Sequence, residues 1–304
     1  MKGSLFSNYF WEEGIKATED WKRYSEEELE NIYSKISEVF KSFSKRKRPD
    51  EADTEDGLIR PIIELLGFQW SRQKSPSRKG RQDVPDFVLF PDKKSKEDFD
   101  KEPSERKPWD KAICILEGKR WKRNLDKGDK TDPIDSRIPS NQILRYLSVA
   151  EPASNGKIVW GILTNGEIWR LYYHKAPSRA EGFIEFNLSE VFEEPSLFDN
   201  FQNKKEKFKI FYLFFRKEAF IPTDWRPHNT FLEIALEEGK RWEEKVSENL
   251  KEKIFYEVFP NIAQGFLIDA KTKGENIDDT ILREIYNNTL VLLYRLLFLF
   301  YAED

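Results

Sequence analysis

Asp86 and Glu117 are the carboxylates whose surroundings suggest chemistry. Asp86 sits in Pro85-Asp86-Phe-Val-Leu, and Glu117 in Glu117-Gly-Lys119, directly after the apolar run Ala112 to Leu116. Two carboxylates at the ends of adjacent strands can share one hard divalent cation, which takes oxygen ligands and keeps waters. Lys119 follows Glu117 by two residues, so strand alternation turns both side chains to one face. An amine there can hold or activate a cation-bound water while the cation stabilises charge on a phosphate. The tripeptide alone is weak evidence, because Glu105-Arg-Lys107, Glu238-Gly-Lys240 and Glu243-Glu-Lys245 repeat it. Only Glu117 follows an apolar strand run, whereas Glu238 and Glu243 fall in a helical pattern where i and i+2 diverge. Pro49-Asp50 and Pro91-Asp92 precede no strand and read as loops.

The elements that must position these groups are legible from periodicity. Ser25-Glu-Glu-Glu28 is a capping box opening an amphipathic helix through Phe43. A second helix is predicted from Thr54 to Leu66, capped by Asp53 or Thr54, with Pro61 as a kink or early-turn residue and Gly67 as its stop. Strands are expected at Phe68 to Gln73, Val84 to Phe90 and Ala112 to Leu116, and Pro91 to Asp110 reads as a solvated excursion. Helical spacing returns from Pro139 to Val149. Two strands, Ile158 to Leu163 and Glu167 to Tyr173, then flank an Asn165-Gly166 turn. Beyond Pro195 the pattern is helical: Phe231 to Phe259 is amphipathic and Ile281 to Tyr301 is apolar on most faces. The expected divisions are a helical segment 1–53, a core 54–195 and a helical extension 196–304. The apolar last helix suggests packing against a further domain or a second copy.

The 304 residues carry 51 Lys+Arg and 55 Asp+Glu, and 14% are aromatic, which indicates a folded chain with a heavily charged surface. One cysteine, Cys114, excludes an intramolecular disulfide, and His174 and His228 alone make a zinc site improbable. Cys114 and the aromatics Phe211, Tyr212, Phe214 and Phe215 read as core. No phosphate-loop or dinucleotide fingerprint occurs. Neither a signal peptide nor a membrane-spanning run is evident, and a cytoplasmic location is expected.

The order of elements and their residues together resemble the PD-(D/E)XK nuclease superfamily over roughly residues 54–173. Glu55 matches the carboxylate that this superfamily draws from the preceding helix, with Glu64 a poorer candidate. Gln142-Ile-Leu-Arg-Tyr146 is similar to the Gln-x-x-x-Tyr element of its RecB-type members. Glu117-Gly-Lys-Arg-Trp121, Trp160-Gly-Ile-Leu-Thr-Asn-Gly166, Trp169-Arg-Leu-Tyr172 and Leu297-Phe-Leu-Phe-Tyr-Ala-Glu-Asp304 resemble the endonuclease region of type IIG or IIL restriction-modification enzymes. The resemblance implies an α/β core with a mixed central sheet flanked by helices, then a helical connector. It implies a DNA endonuclease using Mg2+, with Mn2+ as a substitute. Asp86, Glu117 and Glu55 would bind the metal, Lys119 would position or activate water, and Gln142 and Tyr146 would support the site or touch DNA. The implied partners are double-stranded DNA, an adenine methyltransferase, a target-recognition domain and a second copy on DNA. Arg72, Lys74, Arg78, Lys79, Arg81, Arg120, Lys122 and Arg123 are the basic residues expected to meet phosphates. The rival expectation is an inactive nuclease-fold module that binds DNA or docks partners.

Overall fold

The computed structural model describes residues 3–72, 84–128, 138–192 and 201–303. It divides into two compact units, Met1–Gly239 and Lys240–Asp304. The first is mixed α/β and holds a six-stranded sheet in sequential order: β1 Gln69–Arg72, β2 Phe87–Phe90, β3 Cys114–Gly118, β4 Trp160–Thr164, β5 Ile168–Tyr173 and β6 Phe183–Asn187. Every pairing is antiparallel except β3 with β4. A parallel neighbour needs a crossover, and the Pro139–Ala153 helix lies in it.

Strand alternation builds a core on each face of the sheet. Phe87, Leu89, Cys114, Leu116, Ile162, Trp169 and Leu171 face one cluster, which the 26–44, 51–65 and 201–215 helical stretches close. Val88, Phe90, Ile115, Leu163 and Tyr172 face the other, packed by Ile143, Tyr146 and Leu147 of the crossover helix and by Phe99. The aromatics Phe211, Phe214 and Phe215 are fully buried core, as is Cys114.

The structure departs from the sequence reading in several places. Pro91 to Asp110 is no solvated excursion: Asp92 caps a helix, Lys93–Lys101, whose Phe99 lies fully buried 5.0 Å from the Phe90 ring and 5.4 Å from Trp109. One aromatic among charges anchors this helix. β6 was not anticipated, although Ile184 and Phe186 alternate with Glu185. β3 runs two residues further than expected and carries Glu117 inside the sheet. Phe6, Phe10 and Phe40 from before the sheet and Phe208 and Phe231 from after it belong to the first unit's core, because they help to cover the face that carries Phe87 and Leu116.

In the second unit, Phe259–Thr272 and Asp279–Glu303 are packed helices, with Phe259 and Tyr286 in ring contact at 5.3 Å. Tyr294, Phe298 and Phe300 on the last helix are exposed. No helix among the described residues is long and apolar enough to cross a membrane.

Candidate metal centre

The site forms where β2, β3 and the helical stretch 51–65 meet. The β2–β3 register pairs Phe87 with Leu116, so Asp86 and Glu117 are the next opposed positions and share a face. Gly118 points to the other face, and there the helix comes close: a Cβ at Gly118 would lie 3.2 Å from Ile59 and 3.3 Å from Glu55. The missing Cβ lets the Glu55 side chain pack close on the strand end, where any larger residue would make Ile59 and Glu55 give way by a few tenths of an ångström.

That stretch begins earlier than its periodicity suggests. Asp50 is the N-cap, accepting from the backbone N–H of Asp53 at 2.7 Å, while Asp53 accepts from that of Asp50 at 3.2 Å. Glu51–Thr54 therefore already belongs to the helix. A π-turn over Glu55–Ile59 follows and leads into Arg60–Leu65. Pro61 supplies no N–H to the turn before it, which favours a widened turn at this point. Thr54 ties the helix to the chain beyond β3 by accepting from the Trp121 backbone N–H at 2.9 Å.

The consequence is a cluster that includes a residue the sequence reading missed. Carboxylate oxygens of Glu51, Glu55 and Asp86 lie within 4.8 Å of one another. The signal was available, since Glu51 and Glu55 are four residues apart and share a helix face, but it needs Asp50 as the cap. Glu117 stands beside this trio: its Oε2 accepts from the Asp86 backbone N–H at 3.3 Å, and its Oε1 accepts from Lys119 Nζ at 2.6 Å. Both partners of that ion pair are almost wholly buried. Asp86 Oδ2 accepts from the Gly118 backbone N–H at 2.9 Å. Glu117 and Lys119 lie on one face, as expected; of the expected ligands, Asp86 and Glu55 fall with Glu51 in the cluster that could hold a metal ion, while Glu117 stands beside it and engages Lys119, whose Nζ is also 3.9 Å from Glu51.

The electrostatics follow from packing four carboxylates together. Burial, and then the charge of Asp86, push Glu55 up to about 7 despite Arg72. Asp86 is raised well above the usual carboxylate range by burial and by Glu117. Burial also raises Glu117, although Lys119 pulls against it. For Lys119 burial works downward, but Glu117, Glu51 and Asp86 outweigh it, so the amine holds its proton more firmly than usual. Such mutual repulsion is what a divalent cation relieves, and an all-oxygen donor set suits a hard one.

Gln142 and Tyr146 sit one turn apart, as expected, with Gln142 Nε2 donating to Tyr146 Oη at 2.6 Å. Gln142 Oε1 is buried without a partner. Burial, with the Glu117 charge next, pushes Tyr146 up to about 12, so the phenol stays protonated beside the carboxylates.

The basic residues divide. Arg72 ends β1 and pairs with Glu55, with Asp56 3.7 Å from its other nitrogen. Arg120 and Lys122 are exposed beyond β3, and Lys122 pairs with Glu167 at 3.2 Å. Arg123 is buried, so its expected phosphate contact is withdrawn: the chain turns inward there, and Asn165 Nδ2 donates to the Arg123 carbonyl at 2.7 Å. Lys74, Arg78, Lys79 and Arg81 lie outside the described residues. No protein-family model, curated protein or solved structure matches the chain.

Proposed function

We propose that this chain is a divalent-metal-dependent nuclease that hydrolyses phosphodiester bonds in double-stranded DNA, with a PD-(D/E)XK-type site. The observation that carries this reading is the convergence of Glu51, Glu55 and Asp86 next to the buried Glu117–Lys119 pair. Glu51, Glu55 and Asp86 would hold Mg2+ or Mn2+. Such a cation, when bound, supplies Lewis-acid stabilisation of a phosphate and lowers the pKa of water. Lys119 presents an ammonium whose orientation Glu117 sets, suited to orienting the attacking water and to offsetting charge on a phosphate oxygen. Gln142 Oε1 is a free acceptor, and the protonated Tyr146 a donor, on the same side of the sheet. Arg120 and Lys122 would add phosphate contacts without sequence information. In this reading an adenine methyltransferase and a target-recognition domain act as partners, and two copies meet on DNA to cut both strands.

The test is cleavage of unmethylated supercoiled plasmid in Mg2+ or Mn2+, beside EDTA and the variants Lys119→Gln and Asp86→Asn. Metal-dependent nicking or linearisation that both variants lose is the expected result. Cleavage by Lys119→Gln at the wild-type rate would remove the lysine from the mechanism. DNA binding unaffected by metal, with no cutting, would favour an inactive module.

A further inference from the structure

We infer that Arg72 is a resident cation of the metal centre, which holds Glu55 in the metal-free protein and gives it up to Asp56 when a divalent cation enters. This rests on the proposed metal centre and adds a control to it.

The charges frame the argument. Glu51, Glu55, Asp86 and Glu117 bring four carboxyl groups to one end of the sheet, and Lys119 brings one positive charge, 2.6 Å from Glu117 and 3.9 Å from Glu51. Among the described residues, Arg72 is a second cation at the carboxylates. Its Nη2 contacts Glu55 Oε2, and Glu55 is one of the three carboxylates of the cluster. A guanidinium and a divalent cation on the same carboxylate repel one another, so each weakens the other's hold.

Arg72 is also built to be displaced. Its side chain is 39% exposed, against 7% for Glu55, so it can leave without opening the core. A second acceptor already stands beside it: Asp56 Oδ1 is 3.7 Å from Nη1, and the Asp56 side chain is about half exposed. Arg60 is the other partner of Asp56, at 3.1 Å. Moving from Glu55 to Asp56 takes the guanidinium from a member of the acidic cluster to a carboxylate outside it. With Arg72 removed, the centre loses one positive charge, and entry of a cation no longer has to displace the guanidinium from Glu55.

The experiment is titration of the full chain with Mn2+ in the absence of nucleic acid, read by isothermal calorimetry and by the metal-dependent rise in Tm. Wild type is compared with Arg72→Gln, Asp56→Asn and Glu55→Gln. Arg72→Gln is expected to bind Mn2+ about tenfold more tightly, within the usual range of coupling between sites. Asp56→Asn, which removes the acceptor for the displaced arginine, is expected to bind several-fold more weakly although Asp56 is not a ligand. Unchanged or weaker binding by Arg72→Gln overturns the inference while leaving the metal centre intact, provided that Glu55→Gln abolishes binding. Binding by none of the proteins, or binding that survives Glu55→Gln, overturns the metal centre itself. Binding by Arg72→Gln where wild type shows none supports the inference in its strongest form.

Discussion

Lys119 and Glu117 form a buried pair, so removing either member does more than delete a functional group. From the sequence, residues at a strand end should tolerate alanine with the fold largely intact. The structure corrects that expectation, since Lys119→Ala leaves Glu117 buried without its counter-charge, a loss of about 3 kcal/mol. Lys119→Gln keeps a donor for Glu117 Oε1 and should melt closer to wild type, which thermal denaturation of both variants would check. Asp86 carries the opposite sign. Its pKa is raised in the folded state by burial and by Glu117, so the native protein holds that proton more tightly than the unfolded chain does. The stability this provides is present at acid pH and is lost as pH rises through the folded-state pKa. Asp86→Asn removes the buried charge while still accepting from Gly118. In EDTA, at pH values above the folded-state pKa of Asp86, it should melt roughly 2–4 °C above wild type, the response of a domain of this size to about 1 kcal/mol. Added Mn2+ should raise the wild-type Tm and leave that of the variant unchanged. A lower Tm for Asp86→Asn in EDTA would mean that the carboxylate stabilises the fold. Asp86, Glu117 and Lys119 were legible because strand alternation and an apolar run single them out. Glu51 was not, because Pro49-Asp50 reads as a loop until the side chain of Asp50 is seen to cap the helix.

Strands and helices are brought into register at the site by a turn as well as by the sheet. Gly166, between β4 and β5, has φ of +85°, and a Cβ there would lie 2.5 Å from Leu58 and 3.4 Å from Thr54. Asn165 Oδ1 holds the turn by accepting from the backbone N–H groups of Glu167 and Ile168. The turn therefore packs directly on the helical stretch that carries Glu51 and Glu55. Gly166→Ala combines an unfavourable backbone with a clash, and should cost about 2 kcal/mol or more. Because the clash falls on Leu58, in the helical stretch that carries Glu51 and Glu55, it should also weaken Mn2+ binding, even though Gly166 touches no candidate ligand. Calorimetry under conditions where the variant is folded would separate these effects. Unchanged metal affinity would show that the helix holds its place without the turn. The Asn-Gly pair was visible in sequence as a turn, but the helix it packs against was not, because period and propensity carry no information about which elements touch. The Lys93–Lys101 helix was hidden for a related reason: its charged composition describes the solvent face, and its burial rests on Phe99 alone.

The first unit as a whole is held closed by residues distant in sequence. Asp20, fully buried, accepts from Arg216 Nη2 at 2.5 Å, and Arg226 Nε lies 2.8 Å from its other oxygen. Arg216 also lies 4.1 Å over the Tyr24 ring. One carboxylate thus links the Glu19–Arg23 helix to the end of Phe201–Phe215 and to the turn that contains Arg226, joining the segments that precede and follow the sheet. The elements that carry the sequence resemblance end near residue 173, yet the core cluster includes Phe6, Phe10, Ile36, Phe40 and Phe43 from one side and Phe208, Phe211 and Phe231 from the other. A chain beginning at residue 54 would expose the apolar face those rings cover and should not fold cooperatively. Asp20→Ala tests the same closure in the full chain, because it leaves two buried guanidinium groups without their shared acceptor. The expected loss is about 3–5 kcal/mol, seen as a fall in Tm of roughly 10 °C. The loss should be insensitive to divalent metal, since Asp20 is no part of the carboxylate cluster. If Asp20→Ala instead melts within a degree or two of wild type, the two arginines find other acceptors and aromatic packing alone closes the unit.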